Sequence, residues 1–72
     1  MKNDQGNAKS IEVSLIDQRF IVLRYLDSMQ DRELTGIVTK IDQQSRRIEL
    51  SHTEGADWIH LDDILHITVL SD

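Results

Sequence analysis

Cysteine is absent from this 72-residue chain, so neither a disulfide nor a thiolate zinc site can brace it. Proline is absent too, and the three glycines stand apart from one another, leaving no glycine-rich loop to cradle a phosphate. Aromatic residues are limited to Phe20, Tyr25 and Trp58, a thin supply for stacking nucleic-acid bases. No apolar stretch approaches the ~20 residues needed to span a bilayer. The opening MKNDQGNAKS lacks the apolar run of a signal peptide. These absences, with the missing cysteine, predict a cytoplasmic protein with no membrane role.

Positive charge is also scarce. The net charge is −5, and from Ile37 onward only Lys40, Arg46 and Arg47 oppose seven acidic residues. Such a surface keeps a small domain soluble and disfavours unspecific contact with phosphate backbones. At this length a domain buries only about 60% of the surface its unfolded chain exposes. With no covalent staple, a homo-oligomer is an expected source of further stability.

Residues 1–9 are polar and read as a flexible tail, and residues 10–72 as a single small β domain. In residues 10–17, Ile11, Val13 and Leu15 alternate as in a strand, while the same residues with Ile16 could instead form a short amphipathic helix capped by Ser10; the alternation favours the strand and leaves both open. Residues 19–27, RFIVLRYLD, are apolar on both faces and predict a central strand. A loop is expected at 28–32 and a strand at 33–41, where Gly36 marks a bulge or sharp bend. A hairpin turn at 42–45 leads into an alternating strand at 46–52. After a loop at 53–57 come a short strand at 58–61, a turn capped by Asp62, and a last strand at 64–70. Five short strands in about fifty residues predict an all-β, strongly bent meander or small barrel. Its expected core is Val22, Leu23, Leu26, Ile37, Val38, Ile41, Ile48, Leu50, Ile59, Leu61, Ile64, Ile67 and Val69. Phe20 either joins that core or packs on residues 10–17.

The chemistry-bearing residues form no recognisable catalytic pattern. No Gly-x-Ser-x-Gly elbow is present, and Ser14, Ser28, Ser45, Ser51 and Ser71 stand in unrelated contexts. Adjacent Asp62 and Asp63 would face opposite ways on a strand and suit a cap better than an acid–base pair. His52, His60 and His66 fall on three different strands with no known ligand spacing, so no metal and no cofactor are expected. A binding protein rather than an enzyme is therefore predicted. Arg19, Arg24, Tyr25, Lys40, Arg46 and Arg47 are candidates for nucleic-acid contact, a reading the negative net charge weakens. If Ile59 and Leu61 point inward, Trp58 points outward, either as an interface anchor or as a cover over the barrel end. Trp58, His60, Arg46 and Arg47 are the candidate interface residues.

The pattern Gly36-Ile37-Val38-Thr39-Lys40-Ile41-Asp42, then Arg47-Ile48-Glu49-Leu50, then Ile59-His60-Leu61-Asp62-Asp63-Ile64 resembles the YolD-like family of bacterial proteins. The resemblance covers residues 19–69 and rests mostly on packing positions. The loop at 28–32 lacks the glycine expected after the first strand. The resemblance implies a five-stranded Sm-like barrel and a loose connection with bacterial DNA repair and the SOS response. It implies an accessory protein whose partner is a Y-family translesion polymerase. No catalytic residues come with it.

Overall fold

The computed structural model describes residues 2–70, with side chains from residue 8 onward. A helix, α1 (Lys2–Asp17), precedes five strands: β1 (Ile21–Asp27), β2 (Gln30–Asp42), β3 (Arg47–His52), β4 (Gly55–His60) and β5 (Ile64–Val69). A single 3-10 turn, Leu61–Asp63, joins β4 to β5. The strands form one antiparallel sheet in the order β4-β3-β2-β1-β5. The expected five-stranded Sm-like barrel is thus met in its strands but not in its closure. No ladder joins β4 to β5, and both are sheet edges.

The sheet bends because β2 is shared end to end. Residues 30–36 of β2 pair with β1, and residues 37–42 pair with β3. Gly36 sits at the handover. A Cβ there would lie 2.2 Å from the Ser51 carbonyl oxygen, so glycine is required by close backbone approach. The bulge itself is not at Gly36, as its lone glycine suggests, but between Val38 and Lys40. A second register shift lies between Arg24 and Tyr25, where β1 pairs with β5.

The bend brings two apolar faces together. Ile21, Leu23 and Ile67 from one half of the sheet meet Val38, Ile48, Leu50 and Ile59 from the other, and Ile11 of α1 closes over them. Tyr25, Leu34, Ile41, Leu61, Ile64 and Val69 pack partly buried around this centre. Three expected core residues lie outside it. Ile37 is only half-buried, because the next residue of β2, Val38, takes the inner face. Leu26 is largely exposed near the hairpin tip, and Val22 is only half-buried, while Ile21 is fully enclosed. Strand β1 is central as predicted, but with apolar groups on both faces its sequence does not say which face is inner. Phe20 joins neither the core nor a buried helix contact and stays exposed.

Residues 10–17 are helical, which corrects the strand that their alternation favours. The side chains turned to the sheet are Ile11, Ser14 and Leu15, a helical spacing whose middle member is polar. Ser14 is fully enclosed. Its hydroxyl donates to the Arg19 carbonyl at 2.7 Å and accepts from the Val38 amide at 3.0 Å. A hydrophobic pattern cannot register a face held by a serine, so Ile11, Val13 and Leu15 read as period two instead. The helix also takes in residues 2–9, where the polar composition suggests a tail; no proline interrupts it.

Left-handed backbone recurs at the turns, and glycine fills it only once. Among the described residues Gln18, Ser28, Met29 and Arg46 adopt φ between 51° and 67°, and Gly55 adopts 134°. Ser28 and Met29 form the whole β1–β2 connection, because Asp27 pairs directly with Gln30. Positive φ at both central residues is the geometry of a tight type I′ hairpin, usually filled by Asn-Gly. The loop expected at 28–32 is therefore a two-residue turn, and the glycine missing from it has a physical address at Met29.

Candidate interaction surface

The β2–β3 hairpin places the paired arginines. Asp42 caps the turn by accepting from the Ser45 amide at 3.2 Å, and the Arg46 amide donates to the Gln43 carbonyl at 3.3 Å. Arg46 then takes its left-handed conformation, which directs it away from the sheet toward the 3-10 turn. Its carbonyl accepts from the Leu61 amide at 2.8 Å, and its guanidinium donates to Asp62 at 2.8 Å. That hydrogen bond and the charge of Arg46 hold the Asp62 carboxyl below the usual carboxylate range. Arg46 thus clamps one hairpin to the turn before β5.

Arg47 goes the other way. It opens β3 opposite His60 of β4, and its guanidinium lies 4.6 Å from the centre of the Trp58 ring. Its Nε is enclosed without a hydrogen-bond acceptor, 3.8 Å from Asp42. Trp58 stands directly across from Glu49, whose carboxylate accepts from the Thr39 hydroxyl at 2.8 Å. With Ile59 buried, alternation puts Trp58 on the outer face, and it remains 41% exposed. Of the four candidate interface residues, the fold gathers Arg47, Trp58 and His60 on one outer face and sends Arg46 to its rim. Glu49 and Asp42 complete that face. Neither stood out by residue type, and only the hairpin register, Asp42 opposite Arg47, reveals them.

The three histidines do not converge. His60 ends β4, and His66 lies on β5 opposite Arg24, in the other half of the sheet. His52 is nearly enclosed: its Nδ1 accepts from the Glu54 amide at 3.3 Å. Its Nε2 therefore carries the hydrogen donated to Asp57 at 2.8 Å, a bond that ties the β3–β4 hairpin beside its turn. Among the described residues, no three or more His, Asp or Glu are grouped to hold a metal ion. No helix among the described residues is long and apolar enough to cross a membrane.

The basic residues considered for nucleic acid are largely engaged. Arg24 pairs with Glu33 at 3.3 Å, Arg46 with Asp62 and Arg47 with Asp42. Arg19 reaches the Leu70 carbonyl at 3.3 Å. The model of the YolD-like protein family matches residues 6–68. The chain belongs to that family. The match extends the likeness seen at residues 19–69 back through most of the residues of α1. No curated protein and no solved structure matches it.

Proposed function

We propose that this YolD-like protein is a non-enzymatic adaptor that binds a protein partner along an open edge of its sheet. The observation that carries this reading is the open sheet itself: β4 and β5 are both edges, and each presents alternate backbone N–H and C=O groups without a strand partner. Natural edges are commonly blunted by proline or lysine. Neither residue occurs in β4 or β5. Exposed Trp58 beside one edge and exposed Leu65 on the other supply apolar area of the kind that anchors interfaces. An added strand gains main-chain hydrogen bonds, and side-chain contacts then give specificity.

The partner this reading names is a Y-family DNA polymerase, and what supports that choice is the family resemblance. Nucleic acid as the ligand instead finds support in the stacked Arg47–Trp58 pair. It is disfavoured by the net charge and by the carboxylates already paired with Arg24, Arg46 and Arg47. The deciding experiment is light scattering of the full chain mixed with a purified Y-family polymerase, with Trp58→Ala as comparison. A complex weakened by that substitution supports the adaptor. Unchanged elution of both proteins, with steeply salt-dependent binding of an oligonucleotide, would overturn it in favour of nucleic acid.

A further inference from the structure

The two open edges differ in charge, and the difference selects a partner. Every Lys and Arg of the chain precedes Ile48, so the sequence from Thr53 through Asp63 carries Glu54, Asp57, Asp62 and Asp63 with no Lys or Arg among them. These acids lie on β4 and at its two ends, in the turn before it and the 3-10 turn after it. Asp57 is bound by His52 and Asp62 by Arg46, while among the described residues no ion pair occupies the carboxylates of Glu54 and Asp63. All four side chains are exposed. Residues 64–70, by contrast, contain no charged side chain except what His66 can supply.

We infer that β4 is the recognition edge and that it takes an extended, basic segment of another protein as an added strand. The inference rests on the adaptor reading and gives its partner a chemistry. Backbone groups of β4 provide the ladder, and Glu54 and Asp63 attract cationic side chains at its two ends. Trp58, stacked on Arg47 from one side and 41% exposed, offers a further surface for a cation or an apolar side chain. A second copy of this chain is a poorer occupant. It could bring to β4 only its own uncharged β5 edge or another acidic β4, and each copy carries a net charge of −5.

The test uses the full isotope-labelled chain and three short synthetic peptides with blocked ends: alternating Lys-Val, alternating Glu-Val, and Lys-Val methylated on its backbone nitrogens. Amide shifts under titration locate each peptide. The expected result is binding of Lys-Val with shifts centred on Gly55–His60, weakening as salt rises, and loss of binding on methylation. The double substitution E54K/D63K should weaken Lys-Val about four- to twenty-five-fold, at roughly two- to fivefold for each exposed charge pair, while leaving the folded spectrum unchanged. Equal binding of Glu-Val at β4, or shifts at Ile64–Val69 instead, would overturn the basic partner and leave the edge-binding adaptor standing. Concentration-dependent shifts at β4 without peptide would overturn it in favour of a second copy. Absence of shifts at either edge with all three peptides would bring down both the basic partner and the adaptor reading.

Discussion

Replacing Ser14 by alanine removes one oxygen and tests how the helix is held to the sheet. That hydroxyl is fully enclosed and serves two backbone groups at once, the Arg19 carbonyl and the Val38 amide. Deleting it leaves a donor and an acceptor facing a methyl group, and each orphaned buried group costs about 1–3 kcal/mol. Alanine recovers up to about 0.7 kcal/mol through its better helix propensity. The net loss spans about 1–5 kcal/mol, and about 2–4 kcal/mol is its central range. A domain this small has about 4–11 kcal/mol in total, at 0.05–0.15 kcal/mol per residue. At about 4–8 °C per kcal/mol, the midpoint of thermal unfolding should fall by roughly 10–30 °C. Circular dichroism in heat and urea measures the loss, and amide exchange at Val38 reports it locally. A change below about 0.5 kcal/mol, the range of an ordinary surface substitution, would refute the reasoning. So would a Val38 amide that exchanges no faster than in the unsubstituted chain.

The turn between β1 and β2 should respond in the opposite direction. Met29 is 92% exposed and left-handed, so Met29→Gly relieves strain without losing packing. Stabilisation of about 0.5–1 kcal/mol is expected from chemical denaturation, and a loss would contradict the turn geometry. Gly36→Ala forces a Cβ against the Ser51 carbonyl and should cost about 3 kcal/mol or more, read as a lower urea midpoint at unchanged slope. At Asp62 the folded carboxyl titrates below its ordinary value, so its pairing with Arg46 favours the fold above the unfolded carboxyl value and is lost as pH falls through the folded one. Arg46→Ala should raise the Asp62 midpoint followed by NMR, and an unmoved midpoint would remove Arg46 as the cause. Trp58 is the sole tryptophan, so Arg47→Ala should alter its fluorescence directly, and an identical spectrum would argue against the stacked pair.

Some features of this protein were decided along the chain itself. Strands β3 and β5, the hairpin turn expected at residues 42–45 and the central position of β1 follow from alternation, turn residues and two-faced hydrophobicity, because these signals span only a few neighbours. Trp58 could be placed outward for the same reason, since a buried Ile59 fixes its parity. The resemblance to the YolD-like family rests mostly on such packing positions as well.

The tertiary structure decided what depends on distant partners. The identity of α1 turned on Ser14, whose partner Val38 lies 24 residues away, so no local pattern could show that a polar side chain marks the buried stripe. The choice between Ile21 and Val22 for the core depended on which face of β1 the bend in β2 would cover. The candidate surface was likewise half legible: Arg47, Trp58 and His60 meet only through strand register, while Arg46 is turned away by one left-handed residue. Whether the sheet closes is the least local property of all, since it depends on how far β4 and β5 stand apart after every bend has accumulated. The sheet stays open there, and the proposed function rests on that edge.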